Sequence, residues 1–251
     1  MGKRKRHPSS HQKDDESKQK EEVFQEDKEA TFNLGNKIGN KRNLDKRLIV
    51  VLERANLETV KTGRAYELMN CDDHINLIRK FKKDPANYRP DIPTSMSSML
   101  QDSPLNQTGL LQVYIHTEKN VWIEIHPQCR IPRTFKRFAG LMVQLLHKFN
   151  VRSSDGNMKL LKVIKNPVES NYFPVGCVKL GTSFSSDKLV TPRSLGAQRM
   201  TQLLLLLVPW HTERLMRRTL KEKYLYLGVI YLQLLHVQRF VLAFEEEWGV
   251  Q

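Results

Sequence analysis

The sequence predicts an α/β domain with a mostly parallel sheet, and three observations carry that expectation. Leu48-Ile49-Val50-Val51-Leu52 is apolar at every position, β-branched at its centre and bounded by charges, as a strand covered on both faces requires. Leu111, Val113 and Ile115 form one alternating set, and Val121, Ile123 and Ile125 form another, which is the period of paired strands. Segments of helical period lie between and after them, the clearest beginning at Pro132. A chain of 251 residues has room for one large domain or two small ones with a real core.

Taken in order, residues 1–46 read as a disordered charged tail. His11–Glu29 is nearly all Lys, Asp, Glu, Gln and Ser, and such a stretch buries too little apolar surface to offset its ordering entropy. Lys3-Arg4-Lys5-Arg6 is a basic cluster of the kind that nuclear import receptors read; a solvated, loosely RNA-attracting tail is the alternative. At Arg47 the character changes and a domain over 47–251 begins with the apolar strand. Leu57–Asn70 and Asp72–Lys82 read as helices, the second with Ile75, Ile78 and Phe81 three residues apart behind Asp72 as a cap. Leu111–Ile115 and Val121–Ile125 then form a hairpin around Thr117–Asn120. Pro132 suits a first helical turn, where its missing donor costs nothing. At about 100° per residue from Arg133, the apolar residues Phe135, Phe138, Leu141, Met142, Leu145, Leu146 and Phe149 fill an arc of about 80–220°. Arg137 falls near ~40° and Lys136 near ~300°, on the other side. Leu160–Ile164 and Val175–Leu180 are further strands, separated by Asn166-Pro167. Leu203–Leu207 and Tyr224–Phe240 are apolar again. Gln233, His236, Gln238 and Arg239 interrupt the latter, and an arginine at a bilayer centre costs about 2.5–3.5 kcal/mol, so no membrane span is expected.

The charge balance narrows the function. Lys+Arg number 41 against 27 Asp+Glu, a net +14 with a pI near 9.7. A surplus of this size points to a polyanionic partner, nucleic acid before membrane surface. At 39% hydrophobic residues the chain is too apolar for a disordered polyelectrolyte. Three cysteines cannot close a disulfide framework, which favours a reducing compartment. MGKRKRHPSS at the N-terminus lacks the apolar stretch of a signal peptide, so secretion is not expected. His126-x-x-Cys129 is half of a metal spacing with no second half nearby, and no metal is expected. No Walker loop, G-x-G-x-x-G or G-x-S-x-G occurs.

Two sets of residues are candidates for chemistry. Arg130, Arg133 and Arg137 gather at the start of the Pro132 helix, where fixed charge and helix dipole both favour phosphate, and the planar guanidinium suits bidentate contacts. A solvated basic face is the alternative. In Arg89-Pro90-Asp91-Ile92, the short carboxylate of Asp91 is placed to hold the Arg89 guanidinium in a set direction; an incidental surface pair is the alternative.

At these residues the chain resembles a known family. Gly35-Asn-Lys-Ile-Gly, Arg47-Leu-Ile-Val-Val-Leu-Glu, Leu57-Glu-Thr-Val-Lys, Arg89-Pro-Asp-Ile, Asp102-Ser-Pro-Leu-Asn, Gly109–His116, Arg130-Ile-Pro-Arg-Thr-Phe, Gly140–Lys148, Leu160–Pro167 and Gly181-Thr-Ser-Phe closely resemble the eukaryotic N1-specific pseudouridine methyltransferases of small-subunit ribosome biogenesis. The resemblance covers about Gly35 to Phe184 and resumes at Ala243-Phe-Glu-Glu-Glu-Trp-Gly. It implies the SPOUT class, a trefoil-knotted α/β fold that is a rare exception to unknotted topology. It also implies a nuclear, nucleolar homodimer that uses S-adenosylmethionine to methylate a pseudouridine in small-subunit rRNA and works on pre-ribosomal particles. On that resemblance Arg89, Arg130, Arg133 and Arg137 contact rRNA, Asp91 orients Arg89, and Thr182 and Ser183 touch the cofactor.

Between Ser185 and Leu242 the family pattern stops. The family carries there a G-A-x-A-H-G loop and a later S-N-Y-P-L-S segment that cradle the cofactor, whereas this stretch holds only Gly196 and Gly228, too few for a backbone-lined pocket. Val208–Met216 can be encoded so that a frame one base earlier spells Gly-Ala-Met-Ala-His-Gly-Glu-Val-Asn. The departure therefore predicts that Ser185–Leu242 is largely out of frame relative to the family, with the frame restored near Ala243; the alternative is that Leu203–Leu207 and Tyr224–Leu235 are real strands or helices of a diverged core. The alternative function is a non-catalytic rRNA-binding assembly factor, or an inactive product.

Overall fold

A computed structural model of the chain describes residues 47–156, 158–165, 172–173, 177–183, 193, 202–207, 225–228 and 233–250. The tail expected over 1–46 lies outside the described residues, as do most of the connections between 184 and 232. In chain order the strands are β1 (Arg47–Ala55), β2 (Thr59–Thr62), β3 (Ala65–Leu68), β4 (Leu111–Thr117), β5 (Trp122–Ile125), β6 (Asn150–Arg152), β7 (Lys159–Ile164), β8 (Val178–Ser183), β9 (Gln202–Leu207) and β10 (Leu225–Gly228). The helices are α1 (Ile75–Lys80), α2 (Asp91–Asp102), α3 (Pro104–Gln107), α4 (Phe135–Lys148) and α5 (Gln233–Trp248).

Eight strands form one sheet in the order β10-β8-β9-β1-β4-β5-β7-β6. The strands from β10 through β4 are mutually parallel, and β5, β7 and β6 add antiparallel pairs at the other side. The expected α/β class with a mostly parallel sheet is present. The chain leaves the sheet after β7 at one side and re-enters as β8–β10 at the opposite side of β1, with β9 seated between β8 and β1. The expected trefoil crossing falls on connections of this region that lie outside the described residues.

The apolar run of β1 does what its composition requires. Leu48, Val50 and Leu52 enter one core with Leu111, Val113, Ile115, Ile123, Ile125, Phe138, Met142, Leu145, Phe240 and Phe244. Ile49 and Val51 point to the other face and pack with Tyr114, Trp122, Ile164 and Phe173. Both faces of β1 are therefore dry, the condition that makes a strand apolar at every position. The expected hairpin forms, with Val113 opposite Ile125 and Ile115 opposite Ile123. The family-like segment at Ala243–Trp248 lies in α5, where Phe244 is fully buried and Glu245 accepts a hydrogen bond from the Leu105 backbone N–H (3.3 Å) at the start of α3.

Three local expectations are corrected. Leu57–Asn70 is an antiparallel hairpin, β2 with β3, rather than a helix. Thr59, Val60 and Thr62 are β-branched, and Gly63 takes φ +63° at the first central position of a two-residue turn, where glycine matches the strand twist. The second helix spans only Ile75–Lys80, and its N-cap is His74 rather than Asp72; Asn70 Oδ1 accepts the Asp72 backbone N–H instead (3.1 Å). The long amphipathic helix starts at Phe135 with Thr134 as N-cap, so Pro132 and Arg133 belong to the approach. No helix among the described residues is long and apolar enough to cross a membrane.

Candidate functional site

Arg89 and Asp91 stand at the entry to α2. Arg89 Nε donates to Asp91 Oδ1 at 2.9 Å and Nη2 donates to Oδ2 at 2.7 Å, a side-on bidentate pair. Pro90 is the N-cap residue and Asp91 opens the helix, so proline rigidity brings the two side chains together within three residues. The Arg89 hydrogen bond holds the Asp91 carboxyl below the usual carboxylate range, against partial burial that pushes it up, with the Arg89 charge and backbone N–H groups adding to the depression. Both side chains remain about half exposed, 47% and 44%. The guanidinium thus has a fixed direction while its outer edge faces solvent.

The other three arginines lie elsewhere. Arg133 Nη2 reaches Asp102 Oδ2 at 3.6 Å, and Asp102 is the last residue of α2. Arg130 and Arg137 are exposed and have no acidic partner among the described residues. A twelve-residue helix separates Asp91 from Asp102 by about 17 Å at 1.5 Å per residue. In one copy of the chain Arg89 and Arg133 therefore stand at opposite ends of α2, and the four arginines do not form one cluster. About 17 Å is the span of roughly five phosphates along a stacked strand.

Thr182 and Ser183 end β8, in register with Leu227 and Gly228 of the parallel strand β10. Gly181 is in register with Leu206 of β9 and with Tyr226 of β10. The carboxyl ends of parallel strands are where α/β sheets bind nucleotides. Thr182, Ser183 and Gly228 are placed there by backbone register, and hydroxyl-bearing and glycine residues are types that suit a nucleoside-containing cofactor at such strand ends. The loops that follow β9 and precede β10 lie outside the described residues.

Sequence reasoning missed a cluster at the carboxyl ends of β1 and β4. His116 Nδ1 lies 2.7 Å from Glu53 Oε2 and Nε2 lies 2.9 Å from Asn120 Oδ1, with the ring stacked on Trp122 at 4.1 Å. Both neighbours are acceptors, so the doubly protonated ring satisfies them together. Burial pushes the His116 pKa down, but the hydrogen bond and charge of Glu53, with Asn120 and Glu118, outweigh it and raise the pKa. Arg54 at φ +53° joins the same end by pairing with Glu118. Glu53 and His116 are 63 positions apart, and no local spacing announces that pair. Cys129 is buried, and burial pushes its thiol up to about 11; the His126 Nδ1 accepts the Gln128 backbone N–H (3.2 Å). Among the described residues no three His, Cys, Asp or Glu side chains cluster as metal ligands do.

Comparison with known proteins gives this arrangement its context. The EMG1/NEP1 methyltransferase family matches residues 50–237. The human "Ribosomal RNA small subunit methyltransferase NEP1" is 61% identical over 168 residues, 67% of this chain and 66% of that protein. The chain thus spans just under two thirds of the length of that relative. The protein of the same name from Thermococcus kodakarensis is 32% identical over 129 residues, 51% of this chain and 57% of that one. Among solved structures, Archaeoglobus fulgidus Nep1 bound to S-adenosylhomocysteine superposes with a TM-score of 0.66 at 19% identity, over 82% of this chain and 100% of that one. At that identity the likeness concerns the fold.

Proposed function

This chain belongs to the EMG1/NEP1 methyltransferase family, and from that premise we propose that it methylates N1 of a pseudouridine in small-subunit rRNA, with S-adenosylmethionine as methyl donor. The observation that carries the reading is the family match through residues 50–237 on a chain whose Arg89 is clamped by Asp91 with its outer edge exposed. The cofactor, when bound, supplies an electrophilic methyl group. Thr182 and Ser183, at the end of β8, are the residues that would hold it. Arg89, Arg130, Arg133 and Arg137 hold the RNA, mostly through phosphates, which position without reading sequence. A pseudouridine in a loop leaves its stack before its N1 can be approached. Its N1–H is acidic beside a carbonyl, and as solvent water takes that proton, negative charge grows on the ring. A preoriented guanidinium such as Arg89 stabilises that charge at no reorganisation cost. The chain works as a homodimer in the nucleus and nucleolus on pre-ribosomal particles, and Lys3–Arg6 serve import.

The test is transfer of labelled methyl from S-adenosylmethionine to a pseudouridine-containing small-subunit rRNA stem-loop, with the uridine version as control. Label confined to the pseudouridine RNA supports the reading, and absence of label refutes it. A second reading rests on the glycine-poor stretch Ser185–Leu242. If that stretch is out of frame, the chain as it stands keeps the arginines and loses the cofactor loops, and acts as a non-catalytic rRNA-binding assembly factor. Calorimetry with S-adenosylmethionine and the nucleotide sequence across codons 184–243 decide it. Heat of cofactor binding, or reads without compensating frame changes, remove this second reading.

A further inference from the structure

The helix α1 ends in an unusual way. Lys83 N–H donates to Ile78 C=O (3.0 Å) and Lys82 N–H to Arg79 C=O (2.9 Å), the paired bonds of a Schellman cap, which ordinarily puts glycine at the left-handed position. Here that position is Lys82, at φ +53°, a conformation that disfavours side chains. The cap turns the chain so that Phe81, expected to continue the apolar face of Ile75 and Ile78, is 53% exposed while Ile78 is fully buried.

The cations next to Phe81 in sequence divide into two groups. Lys83 is folded inward: its Nζ donates to Glu58 Oε2 at 2.7 Å and lies 5.4 Å from the Tyr88 ring centroid. Arg79, Lys80 and Lys82 are exposed and have no acidic partner among the described residues. The nearest acid in sequence, Asp84, accepts its own loop's Ala86 N–H (3.0 Å). The segment connects directly to the arginine clamp: Tyr88, whose ring Lys83 covers, accepts the Cys71 N–H (2.9 Å) and immediately precedes Arg89.

An exposed aromatic face ringed by unpaired cations is the arrangement that single-stranded nucleic acid takes, the ring stacking a base and the cations following the backbone. A lone exposed phenylalanine is ordinary, but one that follows two exposed cations and precedes a third, at a helix cap whose left-handed position is a lysine, is not. We propose that Phe81, framed by Arg79, Lys80 and Lys82, is a stacking platform for an unpaired nucleotide flanking the stem-loop that Arg89 holds. The inference rests on the rRNA-binding reading above and extends it to a surface that the arginines do not cover.

The experiment uses the full chain and a fluorescein-labelled small-subunit rRNA stem-loop with a four-nucleotide unpaired flank, beside the same stem-loop trimmed of its flank. Phe81→Ala weakens binding of the flanked RNA by about 5- to 150-fold and leaves the trimmed RNA unchanged. Phe81→Trp keeps the affinity, and its indole fluorescence is quenched by the flanked RNA. If Phe81→Ala binds the flanked RNA within twofold of the unaltered chain, the platform is refuted, and with it the assignment of this ring to RNA rather than to a protein partner. If the unaltered chain itself shows no salt-dependent affinity for either RNA, the rRNA-binding reading falls, a result distinct from the first.

Discussion

Replacing Asp91 with alanine separates the role of the clamp in folding from its role in binding. The bidentate pair at 2.9 and 2.7 Å is about half exposed on both sides, and pairs of this kind contribute at most about 1 kcal/mol to stability. Asp91 also opens α2, where an acidic residue beside the helix N-terminus adds about 0.3–1 kcal/mol. The whole loss is therefore no more than about 2 kcal/mol, and Tm falls by at most about 4–8 °C for a domain of this size. Binding responds differently. Without its partner, Arg89 has to be ordered when RNA arrives, at about 0.5–1.5 kcal/mol for a side chain of its freedom, which weakens affinity by about 2- to 13-fold. Removing the carboxylate also lifts a local repulsion of phosphate, but salt screens that gain, whereas the loss of orientation persists. The assay is RNA binding by fluorescence anisotropy at about 0.15 and 0.3 M salt, alongside thermal melting. The expected result is a near-native melt with a binding defect that is larger at the higher salt. Unchanged affinity at both salts, or a melt lowered by more than about 8 °C, refutes the reasoning. The pair also has a pH signature. Arg89 depresses the folded pKa of Asp91, so its contribution is present above the unfolded value and is lost as pH falls through the lower folded value.

Further outcomes follow from the interior. Phe138 is fully buried under the sheet, and Phe138→Ala costs about 3–5 kcal/mol, lowering Tm by about 6–20 °C in thermal melting. His116 has a raised pKa, so its contribution is complete below about pH 6.5 and is lost as pH rises through the higher folded value. Urea midpoints are expected to fall between these limits, and His116→Gln to remove that part of the slope. Burial pushes the Cys129 thiol up to about 11, and a thiol-labelling time course near neutral pH leaves Cys129 unmodified until the domain unfolds; labelling of Cys129 in the folded chain contradicts its burial.

How far the sequence reached depended on whether the deciding interactions were local. β1 was legible because a strand dry on both faces must be apolar at every position, and Ile49 and Val51 enter one core while Leu48 and Val50 enter the other. The β4–β5 hairpin announced itself by alternation. Leu57–Asn70 was misread because its apolar spacing suits a helix, while its β-branched residues and the left-handed Gly63 suit a hairpin, and the hairpin won. In the site, Arg89 and Asp91 are two residues apart and their pairing was readable. The separation of Arg89 from Arg133 was not, because it depends on Asp102, brought to Arg133 by tertiary packing. The His116–Glu53 pair joins the ends of two strands and leaves no local trace.

The measurement that reaches the centre of the account is methyl transfer by the full chain, comparing the unaltered protein with Arg89→Ala on a pseudouridine-containing small-subunit rRNA stem-loop. The account predicts label at pseudouridine N1, absent from the uridine control and strongly reduced by Arg89→Ala. Salt-dependent RNA binding with no label on the pseudouridine would contradict it and leave a binding protein in the enzyme's place.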